Sequence, residues 1–239
     1  MRISRLSLIA VAAALPLALA GCSAASSGAS ASSSGSAGSG SAAASSADPF
    51  AGLLTGTQLK SALVTTGLPS GYAVNSSATL DTGSDYQSPS PQSTASPKCA
   101  NLEATGWVDL SGYDPAAFAE NDYVNSGTSA EFSQQADAYE GTTAQAVLAG
   151  LAKLGTTCPT FTDSSTKSTV KVAVTSGTSL GDGTVMISLT DASWVSSETL
   201  IAVRVGQTIV TVLNSATGNS ATYANTLATA IVAGINKLG

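Results

Sequence analysis

Three cysteines are the residues of this chain best suited to chemistry, and the chain contains no histidine. Cys22 ends an apolar stretch near the start, whereas Cys99 and Cys158 lie in the later part of the sequence. Thiols can be acylated, joined in a disulfide or used as metal ligands. The missing histidine removes the usual general base, the usual pH switch and the commonest zinc ligand. The cysteines therefore favour attachment and cross-linking over catalysis.

The first 21 residues have the pattern of a secretory signal. Two arginines stand among the first five residues, the range 6–17 is apolar, and small residues follow. The run is shorter than the roughly 20 apolar residues that a membrane-spanning helix needs. Its end, Leu19-Ala20-Gly21-Cys22, resembles the bacterial lipobox. That resemblance implies cleavage before Cys22 and acylation of its thiol, with palmitate among the attached chains. Ordinary cleavage at Ala18-Leu19-Ala20, an A-x-A site, stays the alternative.

Cys99 and Cys158 are the thiols that remain once Cys22 carries lipid. An exported protein meets an oxidising space, so two such thiols predict one disulfide. Closing so long a loop would stabilise the fold by roughly 4 kcal/mol on the chain-entropy model. A metal-binding or catalytic role for either cysteine is the weaker alternative.

Other patterns that resemble catalytic machinery are incomplete. The stretch 177–181 matches the G-x-S-x-G nucleophile elbow, but that elbow needs a strand-to-helix turn and a histidine partner. The carboxylates Glu120 and Asp122, and the group Asp137, Tyr139 and Glu140, could act as acid and base. On strand periodicity they are more often a solvated face. The sequence therefore predicts no enzyme, no cofactor and no metal.

The aromatic residues and the one remaining arginine each allow either a structural role or a ligand-binding role. Trp107, Trp194, Tyr123 and Tyr139 could line a cleft, although core or half-buried packing is the commoner fate of single aromatics. Arg204 is the only arginine left after export. It is expected to pair with a carboxylate, and binding of an anionic ligand is the alternative.

Charge excludes one class of partner. Two of the nine basic residues leave with the signal and all fifteen acidic residues stay, so the mature chain carries a formal charge of −8. This argues against nucleic acid and against adhesion to anionic lipid through a basic patch.

The chain divides into three segments by composition. Residues 1–21 are the expected lipoprotein signal peptide, and residues 22–47 join the anchor cysteine to a tether of Ser, Ala and Gly alone. Such a tether forms no core. Residues 48–239 are long enough for one domain with a sizeable core.

Hydrophobic periodicity predicts the elements of this domain. Capping boxes at Thr55 and Thr142 begin helices over 56–65 and from 142 to Gly155, a short helix begins at Cys99, and a closing helix covers 220–238. A long loop is expected over 81–98. Strands are expected at 72–76, 116–123, 131–139, 169–175, 184–190, 199–205 and 208–213. The pattern predicts an α+β fold, with an antiparallel sheet of about five to seven strands packed against helices and one disulfide.

Several of these features occur together in one known family. They are the capped leucine helix, the short helix at Cys99, the Ala/Leu helix running into Cys158, the turn Leu180-Gly181-Asp182 and the hairpin around Gly206-Gln207. The order resembles the PknH-like extracellular sensor domain of actinobacteria, found on membrane kinases and as stand-alone lipoproteins, the form expected here. The resemblance implies an α+β fold with a cleft, a ligand-sensing role and no known catalysis. Kinase members typically have two disulfides, so one bridge is missing here.

The resulting prediction is a lipid-anchored, extracytoplasmic sensor or ligand-binding module without catalytic activity. Its expected location is the outer face of the cell membrane, reached through the N-terminal lipid. Its expected partner is a small molecule or an envelope protein of unknown identity, and its ligand-binding residues are unknown. A structural or partner-binding lipoprotein of the cell envelope is the alternative.

Overall fold

A computed structural model describes residues 48–88, 97–103, 106–128, 130–215 and 220–239. Residues 48–239 form one compact unit. The predictions for the signal peptide, for Cys22 and for the tether fall on residues 1–47, outside the described part of the chain.

One antiparallel sheet of nine strands forms the centre of the domain, two more than the upper end of the predicted range. Its order is β1-β3-β4-β9-β8-β7-β6-β5, and β2 also pairs with β3. The additional strands β2 and β5 have only two and three residues, too few to produce a periodic pattern. The strands are β1 (Tyr72–Val74), β2 (Leu80–Asp81), β3 (Ala117–Asn125), β4 (Glu131–Ala138), β5 (Thr160–Thr162), β6 (Thr169–Ser176), β7 (Gly183–Thr190), β8 (Glu198–Val205) and β9 (Thr208–Asn214).

Helices cover both faces of the sheet, which confirms the predicted α+β class. The helices are α1 (Gly56–Ala62), α2 (Trp107–Ser111), α3 (Thr143–Leu151), α4 (Leu154–Thr157) and α5 (Ser220–Ile235). Helices α1 and α5 pack on the first face, and α2, α3 and α4 lie on the second face. Strands β8 and β9 are therefore buried on both sides over most of their length.

The two predicted capping boxes have different outcomes. At α1, Gln58 N donates to Thr55 Oγ1, and Thr55 N donates to Gln58 Oε1, so that box is confirmed. At α3, Thr142 makes no side-chain cap, and that box was wrong. Gly155 also does not stop the helix, because α3 ends at Leu151 and Gly155 lies within the one-turn α4, close to Val174.

The disulfide joins Cys99 to Cys158 and confirms the predicted pairing. Its two Cα atoms are 5.6 Å apart, within the ordinary range for a disulfide. Cys99 begins a 3-10 turn that ends at Glu103, and Cys158 caps α4. The bond therefore fastens the chain segment before α2 to the second face of the sheet.

Gly181 is packed so closely that no other residue fits its position. Its φ is +53°, and an added Cβ would lie 2.3 Å from the carbonyl oxygen of Arg204. We expect Gly181→Ala to destabilise the domain by about 1–3 kcal/mol more than Gly206→Ala. Gly206 is the control because its φ is +58° and an added Cβ would contact nothing within 4 Å. Urea unfolding of both variants measures the difference, and equal losses would contradict the close contact.

Candidate ligand-binding site on the second face of the sheet

Five polar side chains form a continuous strip on the second face of the sheet. Side chains alternate between faces along a strand, and the register pairs Glu120 with Gln135 and Asp122 with Ser133. Asp137 lies on the same face, opposite Ile209, which belongs to the core beneath α3. We call Glu120, Asp122, Ser133, Gln135 and Asp137 the polar strip.

The polar strip becomes more buried toward Asp137. Glu120, Asp122 and Ser133 are half-buried, whereas Gln135 is 6% exposed and Asp137 is completely buried. Gln135 Nε2 donates a hydrogen bond of 2.8 Å to Asp137 Oδ1. Ser133 Oγ donates in the same way to Asp122 Oδ1. The strip thus leads from solvent to a buried carboxyl group.

Three buried polar atoms at the inner end have no hydrogen-bond partner. They are Asp137 Oδ2, Gln135 Oε1 and the hydroxyl of Tyr139, which follows β4. Folded proteins leave few buried polar atoms unsatisfied, because each costs about 1–3 kcal/mol. A group of three on one side of one strand therefore marks a place where water or a ligand supplies the missing partner.

Burial and like charge determine the state of Asp137. Burial raises the pKa of its carboxyl group well above the usual value, the hydrogen bond from Gln135 lowers it, and the charge of Glu120 raises it further. The pKa of Tyr139 is also raised well above its usual value, by burial and then by the charges of Asp137 and Asp114. The neutral form of Asp137 is therefore favoured. The groups that shift its pKa, Gln135 and Glu120, include no cation that could balance a negative charge on Asp137.

Asp122 shows the same effect more weakly. Burial raises the pKa of its carboxyl group, the hydrogen bond from Ser133 lowers it, and the charge of Glu131 raises it. The prediction that these carboxylates form a solvated face was consequently wrong for Asp137, which is completely buried, whereas Asp122 is half-buried. The alternation of β4 showed which residues share a face, but it did not show that this face is covered.

Three of the four aromatic residues considered as cleft lining belong to or pack against the core of the second face, and the fourth lies on the first face. Trp107 and Tyr139 are buried in the core of the second face. Tyr123 lies on the first face, where its ring stacks on Phe132 at 4.3 Å between centroids. Trp194 is half-buried and its Nε1 donates to Asp163 Oδ2. Core or half-buried packing, the favoured interpretation, is confirmed for all four residues.

Arg204 pairs with a carboxylate, as the sequence predicted. Its Nη1 lies 3.2 Å from Asp182 Oδ2 and donates to the carbonyl of Gly206. This pair closes the turn before β7 against the β8–β9 hairpin and takes no part in the polar strip.

The remaining motifs give no catalytic or metal centre in the described ranges. The G-x-S-x-G stretch lies between β6 and β7, so no helix follows it as an elbow requires. No group of three or more acidic or cysteine side chains in the part of the chain covered by the structure is arranged to hold a metal ion. Within the same ranges, every helix is too short or too polar to cross a lipid bilayer.

The antiparallel sheet with helices on both faces is a fold that a solved extracellular domain shares. The crystal structure of the extracellular domain of PknH from Mycobacterium tuberculosis matches 77% of this chain and 98% of that chain, with a TM-score of 0.55 and 15% sequence identity. The predicted PknH-like fold is therefore confirmed. No family model and no curated protein matches the chain.

Proposed function

We propose that this chain is a lipid-anchored, extracytoplasmic sensor or ligand-binding module that catalyses no reaction. The observation that carries the proposal is the group of unpartnered buried atoms on Asp137, Gln135 and Tyr139. Stability selects against such atoms, so their presence favours a binding role at this face. The fold shared with an extracellular domain supports an extracytoplasmic location.

The absence of catalysis is supported by the chemistry that the sequence lacks. A chain without histidine has to obtain a general base elsewhere. Burial raises the pKa of the Asp137 carboxyl group and favours its neutral form, which cannot act as a general base. This combination suits recognition of a ligand better than its chemical conversion.

The competing proposal, a partner-binding lipoprotein of the envelope, has less support. Among the described residues the exposed large hydrophobic side chains are Val74 and Leu80 on the short strands β1 and β2, Tyr113 between α2 and β3, and Val195 between β7 and β8. Singly exposed hydrophobic residues are normal on a protein surface. A docking face for another protein would instead present a continuous apolar patch.

Lipid anchoring is tested by removing the thiol. We expect Cys22→Ala to leave the precursor uncleaved or to release the protein from membranes, because the lipid attachment point is lost. Detergent phase partitioning and mass spectrometry of the N-terminal peptide measure both effects. Mature peptides that begin at an unmodified residue 21 or 22 would contradict the anchor and favour ordinary signal cleavage.

Ligand binding is tested by native mass spectrometry of the protein purified from its own host. The expected result is a retained small molecule that is lost from the Asp137→Asn variant. Two negative results together would overturn the proposal: wild-type protein that retains no small molecule, and amide-exchange protection on β4 that does not change when host extract is added. The alternative, a partner-binding protein, predicts instead a co-purified protein that survives the substitution.

A further inference from the structure

We propose that the inner end of the polar strip binds a primary ammonium group, with Asp137 Oδ2 and Gln135 Oε1 as its hydrogen-bond acceptors. This inference rests on the proposed function and names the ligand chemistry of that same site. The observations determine the charge and the hydrogen-bond donors of the ligand better than they determine the rest of the ligand's structure.

When Asp137 is ionised, its Oδ2 and the Gln135 Oε1 are hydrogen-bond acceptors. Asp137 Oδ1 is already occupied by Gln135 Nε2, which leaves Asp137 Oδ2 and Gln135 Oε1 without a donor. The Tyr139 hydroxyl beside them can also accept. A ligand that satisfies such a set has to bring several N–H or O–H donors, and an ammonium group brings three.

The charge of the surroundings selects a cation. Glu120 of β3 raises the pKa of Asp137, and Asp114, in the turn before β3, acts on Tyr139. Strand β9 contributes the uncharged Ile209 and Thr211 opposite Asp137 and Gln135. Helix α2 contributes the uncharged Trp107 and Leu110 to the core of this face.

Two basic side chains with defined partners are held elsewhere. Lys60 pairs with Asp81 at 2.7 Å, and Arg204 pairs with Asp182. A bound ammonium group would supply the positive charge that permits Asp137 to ionise in a buried place, where an unpaired charge is costly.

Other ligand chemistries fit less well. Calcium takes six to eight oxygen ligands, and this end of the strip offers the oxygens of one carboxyl group, one amide and one hydroxyl. A neutral alcohol brings one O–H donor, so at least one of the acceptors stays without a partner. A quaternary ammonium has the charge and no N–H donor, so it leaves the acceptors unsatisfied.

Binding is coupled to release of a proton. In the free protein the raised pKa of Asp137 favours the carboxylic acid. When R–NH₃⁺ binds, the O–H bond of the acid breaks, its proton passes to the solvent, and the carboxylate accepts from the ammonium group. Affinity therefore rises with pH up to the folded-state pKa of Asp137, is level above it, and falls once the amine itself loses its proton, at about pH 10.

The experiment compares three probes of similar size on the full-length protein in detergent: butylammonium chloride, 1-butanol and tetramethylammonium chloride. Calorimetric titrations in buffers of different ionisation enthalpy report binding and proton release together. We expect butylammonium to bind at millimolar concentration, to bind more tightly at pH 8 than at pH 5, and to release protons on binding. The other two probes should not bind.

Two matched variants test the site itself. Asp137→Asn should weaken butylammonium binding by about tenfold or more and abolish the proton release. Asp163→Asn is the control because Asp163 follows β5, where it accepts from Ser165 and Trp194, and it should leave both quantities unchanged. Circular dichroism confirms that each variant is folded.

Several outcomes would overturn the inference. These are equal binding of butylammonium and butanol, binding that Asp137→Asn does not change, and binding of calcium chloride at the same place. A neutral molecule retained in native mass spectrometry, together with failure of butylammonium, would overturn the ammonium inference and leave the proposed function standing. Failure of both experiments would overturn both.

Discussion

Replacing both Cys99 and Cys158 by serine is expected to destabilise the domain by roughly 4 kcal/mol. The disulfide closes a loop with a sequence separation of 59 residues, and its loss restores the conformational freedom of that loop to the unfolded chain. For a domain of this size the melting temperature should fall by roughly 10 °C. Thermal unfolding followed by circular dichroism measures the change.

The matched control is the third cysteine. Cys22→Ala removes a thiol without touching the disulfide, so its melting temperature should equal that of the wild type. Alkylation of the native protein should label neither Cys99 nor Cys158. A double serine variant that melts with the wild type would show that the second face of the sheet is held by its apolar core alone.

Replacing Asp137 by asparagine is expected to change the pH dependence of stability. The folded-state pKa of Asp137 is raised above its unfolded value, so its favourable contribution is present below about pH 4 and is lost as pH rises toward the folded pKa. Asparagine keeps the acceptor for Gln135 Nε2 and cannot ionise. The stability of the variant relative to the wild type should therefore rise between pH 4 and pH 8.

Asp163→Asn provides a control of opposite sign. Burial alone would raise the pKa of Asp163, but hydrogen bonds from Ser165, Trp194 and Thr166 outweigh it and hold the pKa below its usual range. Its contribution is therefore present above the unfolded pKa and is lost in acid. This variant should lose stability at neutral pH. Urea unfolding at several pH values measures both variants, and parallel curves would contradict the buried state of Asp137.

Sequence patterns predicted the parts of the fold that have strong periodicity. In β4, Phe132 and Ala136 alternate with Gln135 and Asp137, and the turn at Gly206 joins β8 to β9 with a positive φ of 58° at the glycine. The disulfide also followed from the sequence, because export and the count of cysteines left one pair. The strand alternation and the turn depend on local chemistry, and the disulfide follows because Cys99 and Cys158 are the cysteines left once Cys22 carries lipid.

The candidate site was missed because its properties are not local. The alternation in β4 places Asp137 on a polar face, and a polar face is usually solvated. Whether it is buried depends on what packs over it, and that is determined by elements far away in the sequence. The short edge strands were missed for a related reason: Leu80–Asp81 forms a strand because β3 lies beside it.

The sheet order has a consequence for the sequence of events in folding. Strand β9 lies between β4 and β8, and it is the one strand that joins the early strands β1 to β4 to the later strands β5 to β8. Chains are synthesised from the N-terminus. Until residues 208–214 are made, β4 in the early set of strands and β8 in the later set each have an open edge. Open edges pair readily with other chains, and contacts of such long sequence separation form slowly. A chain that stops before residue 208 has two incomplete sheets and no strand to unite them.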